Sequence, residues 1–179
     1  MSSSSSFKGL VEFSPTFSPR PEITHAVFDF DGTLSWLRHG WPEIMAQLFR
    51  EQFDLRLDET DSELRELLLN DLLSLNGKAS IYQMVRCAER VHERGRHVID
   101  PDKLLLEYQR RLDVAIAERT EEIICGKKSR DDFVIFGARN ILENLQKRGV
   151  TLIILSGTVE HRVKEEAALL DVARYFGKH

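Results

Sequence analysis

The sequence predicts an α/β fold in which a parallel sheet carries a helical bundle, inserted after its first strand. Two apolar runs, residues 26–28 and 150–155, have the composition of short strands buried in a sheet. The chain between them is a succession of helical patterns without an internal repeat. One strand, a long helical insertion and then a helix–strand–helix pattern indicate a doubly wound parallel sheet with a second, helical unit.

The composition is that of a soluble globular protein. The 179 residues can form one domain of ordinary size with a modest insertion, and 42% of them are hydrophobic while 30% are charged. A net charge of -4 argues against a nucleic-acid groove, and no apolar run approaches the length of a membrane span. We therefore expect a cytoplasmic protein that binds neither nucleic acid nor membranes, with an oligomeric state that the sequence leaves open.

The first residues and the cysteines add two smaller expectations. Residues 1–22 open with a run of serines and show no helical or strand period, which predicts a flexible tail. Cys87 and Cys125 form no CxxC pair and fall in helical patterns. We expect them to be reduced thiols in or near the core, with a single disulfide as the alternative.

Residues 37–130 are predicted to form a small helical bundle. Helical patterns cover about 41–53, 61–75, 80–95 and 100–123, each with apolar residues on one side. Pro42 suits the first turn of the first helix, Asn76-Gly77 suits the end of the second, and Ser80 has the chemistry of an N-cap for the third. The apolar stripes indicate packing between helices rather than a cofactor site.

Residues 131–179 return to an α/β pattern and form one core with residues 23–36. We predict a strand at 133–136, a helix at 138–148, a buried strand at 150–155 and a helix from about Val159. Asp131-Asp132 precedes the strand at Phe133, at the wrong end of that strand for a catalytic site, and is interpreted as a solvated turn.

Two carboxylates follow the first strand directly, as Asp29-Phe30-Asp31-Gly32-Thr33. Because strand residues two apart point to the same face, Asp29 and Asp31 are expected to lie side by side. Carboxylates next to an apolar strand are costly unless a cation or polar partner meets them, and Mg²⁺ prefers oxygen ligands. A calcium-loop fragment or a chance acidic turn is the alternative interpretation of the four letters DxDG.

Ser156-Gly157-Thr158 stands at the corresponding end of the second strand and opens a helix. A hydroxyl beside glycine at a helix N-terminus is suited to holding an anion such as a phosphate. The alternative is a plain helix N-cap. Ligands of open α/β sheets bind outside the carboxyl ends of the strands, where both motifs are expected.

The first motif resembles DxDG[TV] of the haloacid dehalogenase (HAD) superfamily, and Ser156 resembles the serine or threonine of its second motif. The resemblance runs from about Ile23 to the end, and is to the phosphoglycolate phosphatase and β-phosphoglucomutase branch. It implies a HAD-like (Rossmannoid) parallel sheet core, residues 23–36 and 131–179, with a helical cap at 37–130. The cap of that branch lies between the first two motifs, as here.

The resemblance also implies a reaction and roles for individual residues. Asp29 would be the nucleophile that forms an aspartyl-phosphate, Asp31 the general acid and base, and Mg²⁺ would bind both. The substrate would be a small phosphorylated metabolite of the sugar phosphate or phosphoglycolate type. The aspartate at position 31 favours phosphate esters over haloacids and phosphonates, although a phosphomutase would look the same. The phosphate-binding positions that it implies are Gly32, Thr33, Ser156 and Gly157.

Residues near the two motifs are further candidates for substrate contact. Arg38, His39 and Trp41 lie in the hinge between core and cap, which would face the carboxylates when the cap closes. His161 and Arg162 open the helix that follows Ser156.

The third and fourth motifs of the superfamily, a lysine and an acidic pair, have no match before His179. Lys164 lies inside a helix and is interpreted as a surface charge. We therefore expect the chain to be incomplete at its C-terminal end and inactive by itself. Two other classes are weighed: a HAD-like module that binds a ligand without turnover, and a receiver-type signalling domain, which the helical insertion disfavours.

Overall fold

The computed structural model describes residues 14–19, 22–96 and 98–177. Within them lie two β-strands, β1 (His25–Phe28) and β2 (Thr151–Ile154), which pair in parallel with His25 opposite Thr151 and Phe28 opposite Ile154. The predicted parallel pairing is therefore present. Most of the predicted tail lies outside the described residues.

Six α-helices are found in the same ranges, and their bounds agree with the predicted ones to within a few residues. Proline occupies the first turn of the helices Trp41–Arg50 and Pro101–Ile124, and a capping box between Thr60 and Glu63 begins the helix Asp61–Ser74. Two short 3₁₀ helices are also present: η1 (Arg130–Phe133) lies between the fourth and fifth α-helices, and η2 (Ala173–Tyr175) follows the sixth. The helices are α1 (Trp41–Arg50), α2 (Asp61–Ser74), α3 (Ser80–Glu93), α4 (Pro101–Ile124), α5 (Ala138–Lys147) and α6 (Glu160–Leu169).

The strand predicted at 133–136 is wrong. Phe133, the first residue of the predicted strand, is instead the last residue of η1, because Ser129 and Asp132 form a capping box that closes a helical turn. Val134 makes only an isolated antiparallel bridge to Ser35. Asp131 and Asp132 are both exposed, so this acidic pair is solvated as expected. In the described part of the chain, Asp131 forms one ion pair, with Arg139.

Two smaller predictions are also corrected. Ser80 is the first residue of α3 rather than its cap, which is Ala79 and supplies no side-chain hydrogen bond. Cys125 is exposed, since it follows the last turn of α4, whereas Cys87 is buried; both are free thiols. Burial raises the pKa of the Cys87 thiol to about 12.

The buried hydrophobic side chains form two separate clusters. One cluster surrounds the sheet and draws mainly on α5, α6 and the segment after β1, and it includes Phe30, Leu142 and Leu152. The other lies among α1, α2, α3 and α4 and includes Phe49 and Leu68. The division into core and cap at residues 37 and 130 stays a prediction. No helix in the described part of the chain is long and apolar enough to cross a membrane.

Replacing Thr60 with alanine is expected to lower the free energy of unfolding by about 1 kcal/mol, because the Thr60 hydroxyl accepts the Glu63 amide at 3.3 Å. Urea unfolding followed by circular dichroism measures the change. Ser62→Ala, in the same helical turn, is the control and should be nearly neutral. Equal losses in both variants would contradict a specific capping role.

Candidate active site

Asp29 and Asp31 lie directly after β1, where the chain leaves the sheet. Asp29 is exposed and Asp31 half-buried, while Phe30 between them is fully buried, so the alternation expected of a strand continues. The Phe30 carbonyl accepts the amides of Leu34 and Ser35, both at 2.9 Å, and the chain turns there at once. Gly32 has a φ of 77°, which favours glycine.

Asp29 is the less constrained of the two carboxylates. The Thr33 hydroxyl donates to its Oδ2 at 3.4 Å, and no lysine, arginine or histidine of the described residues forms an ion pair with it. The amide of Gly32 is not directed to the site, because it donates to the Ser35 carbonyl at 2.8 Å. Asp29 is thus an accessible carboxylate without a cationic partner from the described chain.

Both oxygens of Asp31 accept hydrogen bonds. Arg38 Nη1 donates to Oδ1 at 2.6 Å, and the Thr158 hydroxyl donates to Oδ2 at 3.0 Å. These donors come from the hinge and from the turn after β2. The orientation of the Asp31 side chain is therefore determined from two sides.

Arg38 is bound on its other edge by Glu166, on α6. Its Nη1 donates to Oε2 at 2.6 Å and its Nη2 to Oε1 at 2.8 Å. Burial raises the pKa of Glu166 even though Arg38 opposes the shift. Burial alone would lower the pKa of Arg38, but the two carboxylates outweigh it and raise that pKa.

Ser156, Gly157 and Thr158 form the turn between β2 and α6. The Thr158 amide donates to the Ser156 hydroxyl at 3.0 Å. The N-cap of α6 is Val159, without a side-chain hydrogen bond, so the interpretation of this motif as a plain N-cap is wrong. The hydroxyl of Thr158 is instead directed to Asp31.

A cavity of 910 Å³ lies between the two motifs and the helical bundle. The Tyr108 side chain lines it, and burial raises the pKa of the Tyr108 hydroxyl to about 12, so the hydroxyl is protonated at neutral pH. Arg162 of α6 and Asp113 of α4 both line this cavity, and Arg162 donates to the two Asp113 carboxylate oxygens through Nη1 and Nη2. On the sheet side it is lined by Asp29, Asp31, Arg38, Ser156, Gly157, Thr158, His161 and Arg162, and on the bundle side by Lys78, Ser80, Tyr108, Gln109, Leu112 and Asp113.

The other hinge candidates lie in a second, smaller cavity. His39, Trp41 and Gly32 line a space of 360 Å³ that shares Asp31 and Arg38 with the larger one. The His39 ring stacks on Trp36 with its centroid 6.0 Å away. The structure thus brings Arg38 into contact with Asp31, whereas His39 and Trp41 line only the smaller of these two cavities.

The donors available for a metal are few. Among the described residues no group of three or more histidine, cysteine, aspartate or glutamate side chains converges on one point. Mg²⁺ is commonly held by one or two carboxylates, together with water and substrate phosphate. Asp29 fits such a site, because it is accessible and has no cationic partner among the described residues. The backbone carbonyl of Asp31, two residues further along the chain, could supply a second oxygen.

Sequence reasoning missed three residues of this site. Thr158 was considered only as part of the second motif, although its hydroxyl reaches Asp31. Tyr108 lies among the buried residues of α4, where its spacing in the sequence indicates helix packing rather than a cavity. Glu166 had a visible signal, because it falls between Val163 and Ala167 on the buried side of α6. An acidic residue in an apolar stripe indicates a buried partner.

Comparison with known proteins identifies the family. The family profile of haloacid dehalogenase-like hydrolases matches residues 23–179, and none of the curated proteins matches the chain. The crystal structure of a predicted phosphoglycolate phosphatase from Haemophilus somnus 129PT is similar in fold, with a TM-score of 0.53 and 13% sequence identity. The similarity covers 87% of this chain and 60% of that one. Since the profile matches most of its length, the chain belongs to the haloacid dehalogenase-like hydrolases.

Proposed function

We propose that the protein is a Mg²⁺-dependent phosphatase that hydrolyses a small phosphorylated metabolite, of the sugar phosphate or phosphoglycolate type. The observation that carries the proposal is the placement of two carboxylates with different surroundings on one cavity. Asp29 is accessible and has no cationic partner in the described chain, whereas Asp31 is fixed by Arg38 and Thr158. Two free thiols accord with the reducing cytoplasm that we propose as its location.

In the proposed reaction Asp29 attacks phosphorus and the ester oxygen leaves. A carboxylate oxygen of Asp29 forms the new bond to phosphorus, and Asp31 supplies the proton that the departing oxygen takes up. Asp31 then removes a proton from the water that attacks the aspartyl-phosphate, which releases phosphate and regenerates Asp29. Mg²⁺, when bound at Asp29, supplies positive charge that reduces repulsion between the carboxylate and the phosphoryl oxygens.

The remaining residues of the cavity are proposed to bind the substrate. The Ser156 hydroxyl and the Gly157 amide would contact phosphoryl oxygens at the start of α6, where unpaired backbone amides favour an anion. The leaving group would extend toward Tyr108 and Gln109 of the bundle. Because these residues come from the segment proposed as a cap, closure of the cap would exclude water from the reaction.

A binding module without turnover is the second candidate. The observation that favours it is that, among the described residues, no third acidic side chain joins Asp29 and Asp31 in a group that could hold a metal ion. A phosphomutase with the same first step is the third, and it would transfer the phosphoryl group to a hydroxyl of a second sugar instead of water.

The test is hydrolysis of p-nitrophenyl phosphate, phosphoglycolate and a set of sugar phosphates, with Mg²⁺ and with EDTA. We expect phosphate release that requires Mg²⁺. Binding of these esters by calorimetry without release would favour the module, and transfer between sugars without release would favour the mutase. Residues 1–179 and any longer native form containing them should be assayed in parallel, which also tests the expected inactivity of this chain alone.

A further inference from the structure

Glu166 is an acidic residue in a position where the packing of α6 calls for an apolar one. Val163, Ala167 and Leu170 lie three or four residues apart, on the same face of α6 as Glu166, and all three are buried. Glu166 is only 8% exposed. Burying a carboxylate costs free energy, and a well-packed hydrophobic side chain can replace a buried ion pair without loss of stability. Packing alone therefore does not account for Glu166.

The contacts of Glu166 connect it to the candidate acid–base residue through one side chain. Its two oxygens accept hydrogen bonds from Nη1 and Nη2 of Arg38, at 2.6 Å and 2.8 Å. The same Nη1 donates to Asp31 at 2.6 Å. Because a guanidinium is planar and its N–H directions are fixed, binding one edge to Glu166 also determines where the other hydrogen of Nη1 points. That hydrogen points to Asp31.

We propose that Glu166 is a positioning residue for Asp31, a role that rests on the phosphatase activity proposed above. It holds Arg38 so that the guanidinium makes a single contact with Asp31, while Thr158 binds the other carboxylate oxygen. Without Glu166 the guanidinium turns toward the remaining carboxylate. An arginine prefers two parallel hydrogen bonds to one carboxylate, and such a pair at Asp31 displaces Thr158 and changes the orientation of the carboxylate from which the proton is transferred.

The primary test is Glu166→Gln in the native full-length protein, which preserves the shape of the side chain but removes its charge. We expect kcat for the phosphate ester to fall by about 10-fold to 100-fold, with KM changed less than about 3-fold, because the loss concerns the orientation of a catalytic group. Glu165→Gln is the matched control, since Glu165 is the exposed neighbour on the same helix and outside the 910 Å³ cavity. It should keep the parent kcat.

A double variant separates positioning from folding. Arg38→Met leaves the Glu166 carboxylate buried without its cation, and Glu166→Gln removes one of the two carboxylates that bind Arg38. Each variant is expected to lower Tm by up to about 10 °C. Arg38→Met combined with Glu166→Leu removes both groups and is expected to recover most of that Tm. Its kcat should nevertheless stay low, since nothing then holds Asp31 from the hinge side. Recovery of kcat together with Tm would show that the loss in Glu166→Gln was structural, and would overturn the proposal.

The outcomes for the two proposals are distinct. If the parent protein hydrolyses the ester and Glu166→Gln has the same kcat, the positioning role is overturned and the phosphatase proposal stands. A parent protein that releases no phosphate overturns the phosphatase proposal, and the positioning role falls with it. A loss of kcat in Glu166→Gln and in the double variant, with Glu165→Gln unaffected, supports both.

Discussion

Replacing Asp29 with asparagine is expected to abolish phosphatase turnover in the native protein while leaving the fold intact. A carboxylate oxygen is the proposed nucleophile, and an amide oxygen does not form the aspartyl-phosphate. Asp29 is exposed and accepts one hydrogen bond from Thr33 at 3.4 Å, so the substitution removes little that supports the structure. We expect kcat to fall by about 10⁴-fold or more, measured by phosphate release under steady-state conditions with Mg²⁺.

The control for this experiment is Asp54→Asn, since Asp54 is an exposed carboxylate that pairs with Arg96 and is not among the residues that line the cavity. That variant should keep the parent rate. Thermal unfolding of Asp29→Asn should give a Tm close to that of the parent, which shows that the loss is chemical. Turnover within a few-fold of the parent rate would refute the assignment of Asp29 as nucleophile.

Local signals in the sequence were sufficient to predict the two paired strands and most helix ends. The pairing of residues 25–28 with 151–154 follows from two apolar runs, each followed by a polar motif. Helix ends were readable where proline or glycine marks them, as at Pro42, Pro101 and Gly149, because these residues act through backbone geometry alone.

The strand predicted at 133–136 failed because two local signals compete in that segment. Its apolar composition favours a strand, but the Ser129–Asp132 capping box just before it closes a helical turn. Gly137, with a φ of 82°, then ends any extended segment before α5. The capping box was visible in the sequence as a serine with an aspartate three positions later.

The contacts around Asp31 are the part of the site that local patterns could not show. Arg38 and Glu166 are 128 residues apart, and Thr158 and Asp31 are 127 residues apart. Each residue alone has an ordinary interpretation, as a hinge arginine, a helical glutamate or a turn threonine. Their common role depends on the contact between Glu166 of α6 and Arg38 of the hinge, which only the folded chain brings about.

Replacing Arg38 with methionine is expected to destabilise the protein by about 3 kcal/mol at pH 7, because it leaves the Glu166 carboxylate buried without its cation. The loss should depend on pH. Burial already raises the pKa of Glu166 above its ordinary value of 4.5, and removal of the opposing contribution of Arg38 raises it further. The native state then binds a proton that the unfolded state releases, so stability falls as pH rises through that interval.

Urea unfolding at pH 4.5 and at pH 7 measures this dependence, with the parent protein compared at each pH. The difference between variant and parent should be smallest at the lower pH, where Glu166 is protonated and neutral, and should reach its full size at pH 7. Arg38→Met combined with Glu166→Leu is the control, since it carries no carboxyl at position 166, and its loss relative to the parent should not grow between pH 4.5 and pH 7. A loss of equal size at both pH values would mean that Arg38 stabilises the fold by packing rather than by compensating the charge of Glu166.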